Sequence, residues 1–298
     1  MYEQIAANRR RTWLMVIGFT IFVGLVLAVV VYLFGGTGPW GIAIAAVIAI
    51  ATSWFSYWNS DKIALRMSRA RPADPKQYAR LHNLVEGLCI ASGLPKPSVY
   101  VVDDPAPNAF ATGRDPKHAA IAVTTGLLEK LNRVELEGVL AHELSHIRNY
   151  DTLVMTIAVT MVGLLVLVAD FFLRFMFWGG ARRRDNSGPG ALLGLVGIVL
   201  LIFAPIIARL MQFAISRRRE FLADASGVHM TRYPPGLIAA LEKLRDDETV
   251  VHSATHATAH LWIEEPLNVE GANRGSKLNR LFATHPPLEE RIAVLREM

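Results

Sequence analysis

Charge and cysteine are scarce in this chain. Only 19% of its 298 residues are charged, against about a quarter in ordinary globular domains. A single cysteine, Cys89, excludes an intrachain disulfide and fits a reducing compartment for the soluble part. Within Leu88-Cys89-Ile90 it reads as a small buried hydrophobe. Internal repeats are missing, so a stacked-repeat architecture is excluded. An isolated basic patch is missing too, despite a net charge of +5 and a pI of about 9.5. The clusters Arg9-Arg10-Arg11, Arg182-Arg183-Arg184 and Arg217-Arg218-Arg219 sit beside apolar runs. That is the pattern of membrane flanks, and it argues against a nucleic-acid partner.

Apolar residues are what the chain has in excess. They make up 52% of it, the mean hydropathy is +0.30, and they are clustered. A first run, Trp13 to Phe34, is long enough to cross the ~30 Å hydrocarbon core as a helix. No small-x-small cleavage site follows it, so it reads as a retained signal anchor. After the turn Gly35-Gly36-Thr37-Gly38-Pro39 comes a second run, Trp40 to Trp58, whose Trp54, Tyr57 and Trp58 are placed as an interfacial aromatic belt. A third goes from Thr152 to Ala169 and on to Trp178, and a fourth from Ala191 to Ala208, with a polar loop between them. Asp170 and Arg174, four apart near the end of the third run, can pair on one helix face at headgroup depth.

The polar segments carry the chemistry. Over 59–150 the pattern predicts a helix from Tyr78 to Ala91 and three short strands, Ser98–Val102, Ala109–Thr112 and Ala119–Val123. Asn132, with Glu135 three residues on, is a capping box opening another helix. On that helix lies His142-Glu143-Leu144-Ser145-His146, an HExxH motif. Residues four apart share a helix face, so both imidazoles can reach one zinc ion. Glu143 points to the side of the pair, where it serves as general base toward a water on the metal rather than as a ligand. The competing reading is a solvated or core-facing helix with two coincidental histidines.

The third ligand is less direct. A histidine at the downstream spacing of one zincin class is excluded, because Asn149 and Thr152 stand there. Asp151 falls off the ligand face of a continuing helix and reads as the polar end of a membrane helix. Glu220, in a later helix with Asp224 one turn on, can complete a His-His-Glu set, with Asp224 holding a ligand imidazole through its other nitrogen. On residues alone Glu220 reads as readily as an exposed helix glutamate beside arginines. Two apolar runs separate it from the motif, and two crossings, or none, return it to the same side. His285, before Pro286-Pro287, reads either as an oxyanion donor or as a capping or surface histidine. His252, His256 and His260 share a helical spacing, but lack a carboxylate placed as a base between the first two. The stretch 250–276 reads as a mobile loop.

The HELSH helix entering a membrane hairpin, the Glu220-x-x-x-Asp224 element and Thr284-His285-Pro286 together resemble the HtpX-type bacterial membrane metallopeptidases, gluzincins related to the CAAX prenyl proteases. The resemblance covers nearly the whole chain. It implies a mainly α membrane protein of about four transmembrane or membrane-embedded helices with a zincin-like α+β catalytic domain and a small sheet. It also implies Glu220 as third zinc ligand, Asp224 behind a ligand, His285 in catalysis, and a stress-response role in membrane-protein quality control. Asn108, Ala109 and Phe110 resemble the family's active-site edge strand, which would take an extended protein or peptide substrate by strand addition. The implied organisation is a membrane hairpin over 1–58, a first catalytic part over 59–151, a second hairpin over 152–213 and a second catalytic part over 214–298.

The positive-inside rule puts Arg9 to Arg11 in the cytoplasm, and Lys62, Arg66, Arg69 and Arg71 agree after two crossings. The expectation is a multi-pass inner-membrane protein with its active site facing the cytoplasm. Arg182 to Arg184 conflict with full spanning of the second hairpin. The alternatives from other classes are a non-catalytic metal-binding membrane scaffold or regulator, against which the intact Glu143 argues, and a transporter, against which the motif's place outside the spans argues.

Overall fold

The computed structural model describes residues 2–33, 39–158, 160–161, 170, 174, 217–247, 249–251, 253, 258, 261–263 and 286–298. Two compact units are distinguished. One comprises 10–60 and 157–212, the other 1–9, 61–156 and 213–298.

In the first unit, two long helices follow from the apolar runs. Helix α1 spans Tyr2–Leu33 and α2 spans Pro39–Met67, each extending beyond the run that announced it. A polar, charged turn can continue a helix once the apolar stretch has nucleated it. Windows apolar enough to cross a membrane cover Ala6–Ala28 and Trp40–Met67. The pair packs through small and medium side chains: Phe19, Ala45 and Ala49 are buried, and Thr20 donates to the Ser53 hydroxyl at 2.7 Å. Trp13 stacks on Tyr57, centroids 6.1 Å apart. Ile17, Ile21, Leu25, Ile42, Val47 and Ile50 face outward and are exposed. A patch of that extent is unfavourable in water and favourable against acyl chains. Of the expected second hairpin, only 152–158, 160–161, 170 and 174 are described. Asp170 and Arg174 pair at 2.7 Å, as their spacing foretold.

The second unit is α+β. A four-stranded sheet runs in the order β1 (Arg71–Pro72), β2 (Ser98–Val102), β4 (Ala119–Thr124), β3 (Ala109–Gly113). Strands β2 and β4 are parallel, and the other two neighbours are antiparallel. The three strands expected from the sequence are all present. Only the two-residue β1 was not foreseen, being too short to show a period. Helix α3 (Ala79–Ser92) buries Leu81, Leu84, Val85 and Leu88 and ends on Gly93 at φ 70°. After the short α4 (Thr125–Lys130) comes α5 (Arg133–Arg148), opened by the expected Asn132–Glu135 capping box with both reciprocal hydrogen bonds. It is buried along nearly its whole length, with β3 on one side and α6 (Arg217–Thr231) and α7 (Pro234–Arg245) on others. Helix α8 (Leu288–Arg296) closes over α6 and α7.

Two glycines set how close these helices come. A Cβ on Gly227 of α6 would lie 3.0 Å from the backbone nitrogen of His142, and one on Gly138 of α5 would lie 2.7 Å from that of Leu237. With Gly227 bare, α6 lies directly against the motif-bearing turn of α5.

Candidate metal centre

Helix α6 presents Glu220, Ala223, Asp224 and Gly227 toward α5. These positions fall at the i, i+3, i+4, i+7 spacing of one helix face, and Glu220, Ala223 and Asp224 are at most 1% exposed. Arg219 and Glu220 of its polar first turn are thus buried instead of facing solvent. Glu220 Oε2 lies 3.6 Å from His142 Nε2, and Oε1 lies 3.5 Å from His146 Nε2. The two Nε2 atoms are 3.1 Å apart. His142, His146 and Glu220 therefore offer three donor atoms in one small space, all buried.

The outer face of each ring is held by a carboxylate. His142 Nδ1 lies 2.8 Å from Asp224 Oδ1, and His146 Nδ1 lies 3.2 Å from Asp151 Oδ2. Each Nδ1–H donates outward, so each Nε2 turns a lone pair inward toward the other and toward Glu220. The carboxylates are held in turn. Arg291 donates to Asp224 from Nε at 2.8 Å and Nη2 at 2.6 Å. Its Nη1 comes within 3.6 Å of Glu220. Nη2 is also 3.3 and 3.4 Å from the two nitrogens of His142, which places it over the ring rather than in line with either lone pair. Asp151 Oδ1 accepts from the Asn8 amide at 2.8 Å and has Arg219 Nη1 at 3.5 Å.

Burial and these partners pull the two rings in opposite directions. Desolvation, joined by the Arg291 charge, holds His142 well below the ordinary histidine range despite Asp224. Desolvation lowers His146 as well, but Glu220, Asp151 and Glu143 together outweigh it and raise the ring. Burial pushes Asp224 up, and Arg291 with His142 overcomes that and holds it at about 2.

The donor set suits a divalent cation. Tetrahedral zinc with ligands at about 2.0–2.1 Å has ligand atoms about 3.3–3.4 Å apart, and the three edges here are close to that. Formal charge agrees. Among the described residues around the cluster, the buried carboxylates are Glu143, Asp151, Glu220 and Asp224, and the buried guanidiniums are Arg219 and Arg291. With neutral rings this leaves an excess of two negative charges in a water-poor interior, which a dication cancels.

Of the residues singled out from sequence, His142, Glu143, His146, Glu220 and Asp224 come together. Glu143 is 2% exposed, on the motif turn. Ala109 and Phe110 open β3, the outer strand of the sheet, packed against α5, and Asn108 immediately precedes it. The strand is buried throughout, and the Ala109 carbonyl accepts from Ile263 N–H at 3.0 Å. His285, His252, His256 and His260 lie outside the described residues, as do Arg182 to Arg184.

Three neighbours escaped the sequence reading. Asp151 was read as the polar end of a membrane helix on the assumption that the motif helix continues. Instead α5 stops at Arg148 and Tyr150 takes a left-handed conformation, φ 59°. That break swings Asp151 back beneath His146. Neither Arg291, in the last helix, nor Asn8, just before the Arg9–Arg11 cluster, stands out in the sequence. Only the break after Arg148 left a local signal, in Asn149-Tyr150-Asp151 with its turn-favouring ends.

A pair of imidazoles on one helix, a carboxylate from a second and a glutamate beside them define a metallopeptidase site of the HExxH kind. Comparison with known proteins narrows this. Residues 75–298 match peptidase family M48, and the chain belongs to that family. It is 48% identical to a protease HtpX homolog of Caldanaerobacter subterraneus subsp. tengcongensis, over 100% of this chain and 98% of that protein. It is 45% identical to the homolog of Thermoanaerobacter pseudethanolicus, with the same coverage, and 42% identical to that of Streptococcus gordonii over 100% of both. The enzyme class is thus a membrane-associated zinc metallopeptidase of HtpX type. The fold is similar to the crystal structure of S. mikatae Ste24p, with a TM-score of 0.50 at 18% identity, over 99% of this chain and 67% of that one.

Proposed function

We propose that the chain is an endopeptidase that hydrolyses peptide bonds of membrane or misfolded proteins at one zinc ion held by His142, His146 and Glu220. The observation that carries this is the convergence of two inward Nε2 lone pairs and a buried carboxylate 3.1 to 3.6 Å apart, in a pocket with excess negative charge. Bound zinc supplies Lewis-acid polarisation of the scissile carbonyl and acidifies water. The protein's own residues do the rest. Asp224 and Asp151 fix the tautomers of the two rings and keep them aimed inward. Glu143 takes a proton from the attacking water and passes it to the leaving amine. His285 donates to the oxyanion that develops on the carbonyl. Burial of the whole cluster keeps bulk water from competing with the aimed groups.

The substrate backbone adds to the outer edge of β3 beside Asn108, Ala109 and Phe110. That mode requires Ile263 to release the Ala109 carbonyl. Helices α1 and α2 hold the enzyme in the inner membrane as part of a multi-pass arrangement, with the site on the cytoplasmic face. Quality control of membrane proteins is the physiological role that fits an endopeptidase so placed.

The test is Glu143→Gln in the full-length protein in lipid. Cleavage of an unfolded model substrate is expected to drop by at least about 10²-fold, the lower end for losing a general base. Zinc content stays at one per chain. Undiminished cleavage would rule out the catalytic reading, and loss of zinc together with cleavage would assign Glu143 to the ligand set instead.

A further inference from the structure

The two ligand histidines are backed differently. Behind His142 stand Asp224 and Arg291, both from elements of the catalytic part. Behind His146 stands Asp151, and the nearest donor to Asp151 comes from the extreme N-terminus, on the helix that reads as a membrane anchor. Asn8 is 2% exposed. Its amide nitrogen donates to Asp151 Oδ1 at 2.8 Å and to the Asn149 carbonyl at 3.0 Å. One residue on, the Arg9 guanidinium lies 4.9 Å over the Tyr150 ring, on the residue whose left-handed backbone makes the turn. The first turns of α1 thus grip the whole 149–151 break. They occupy one oxygen of Asp151, which leaves the other, Oδ2, for His146 Nδ1.

We infer that Asn8 is a positioning residue of the metal centre: it fixes Asp151, and through it the ring of His146, so that the N-terminal helix is part of the active site as well as an anchor. The inference rests on the reading of His146 as a ligand. An apolar or smaller residue at position 8 leaves Asp151 free to rotate toward Arg219, which already lies 3.5 Å from the same oxygen. The His146 ring then loses its tautomer lock.

The experiment measures zinc affinity by chelator competition in full-length protein, and the visible spectrum of the cobalt-loaded form, for Asn8→Ala, Asp151→Ala, the double variant and His146→Ala. Removing a carboxylate behind a metal-bound histidine typically weakens the metal about 10–100-fold, so Asp151→Ala is expected in that range and Asn8→Ala at about three- to tenfold. The double variant is expected to match Asp151→Ala within about twofold, because the effect of Asn8 on the metal is carried by Asp151. The cobalt spectra of Asn8→Ala and Asp151→Ala are expected to shift alike. Wild-type affinity in Asn8→Ala, or losses that multiply in the double variant, would overturn the inference. Should Asn8→Ala not fold, the exchange Asn8→Asp with Asp151→Asn retains the hydrogen bond. The amide oxygen then at position 151 can still accept from His146 Nδ1–H, so the zinc affinity of this variant is expected to lie clearly above that of Asp151→Ala, and a loss as large as that of Asp151→Ala would overturn the inference. If His146→Ala keeps wild-type affinity, the ligand assignment itself is wrong, which separates the two failures.

Discussion

At the scale of single residues, the site depends on each imidazole having two jobs for its two nitrogens. The outer nitrogen gives its proton to a carboxylate and the inner one keeps its lone pair for the ion. In the proposed site Glu220 supplies the remaining donor. Glu220→Ala is expected to abolish stoichiometric zinc, read by metal analysis of the purified protein, since two imidazoles alone hold the ion far more weakly. Asp224→Ala is expected to weaken zinc about 10–100-fold. It also takes from Arg291, which has no exposure to water, the carboxylate that accepts its two short hydrogen bonds, leaving Glu220 at 3.6 Å. A buried, uncompensated charge costs several kcal/mol, so a lowered melting temperature should accompany the affinity loss. The double variant Asp224→Asn with Arg291→Met should recover much of that stability without recovering the zinc. His142, Glu143 and His146 could be picked out of the sequence because their chemistry is written in a local spacing. Asp151 and Arg291 could not, since one depends on a backbone reversal at Tyr150 and the other on the docking of the last helix.

At the scale of elements, α5 and α6 form the working pair, and Gly227 sets their separation. Gly227→Val is expected to force the helices apart near His142. The expected result is lost zinc and lost cleavage, with helical content nearly unchanged by circular dichroism. A milder lesion tests the helix's own integrity. Asn132→Ala removes an N-cap and half of a capping box, and should cost about 1 kcal/mol in thermal or denaturant unfolding while sparing the metal. Most elements were readable from period and punctuation. The strands are short apolar runs separated by Gly, Pro and Asp clusters, and the capping box marks the start of α5. The inward face of α6 was harder to see. Its sequence is polar, and a helix of that composition normally faces water. What turns Glu220 and Asp224 inward is electrostatic complementarity with two imidazoles and Arg291, which no hydrophobic pattern reports.

At the scale of the whole molecule, the centre joins segments from the N-terminus, the middle and the C-terminus of the chain. Asn8, His142 to Asp151, Glu220 with Asp224, and Arg291 all converge there. Binding the dication should therefore stabilise the fold broadly. Chelation is expected to lower the melting temperature of the full-length protein in lipid by several degrees, and zinc to restore it. The orientation in the bilayer can be settled with the same protein. Its lone thiol, Cys89, is 4% exposed, and desolvation raises it to about 11. Maleimide reagents react with thiolate, so the native chain is close to silent toward them at neutral pH. Any cysteine placed between residues 180 and 188 then reports alone, with no need to engineer a cysteine-free background. Modification by a membrane-impermeant maleimide from only the cytoplasmic side of sealed vesicles would show that this loop stays on the cytoplasmic side and that the second hairpin does not span.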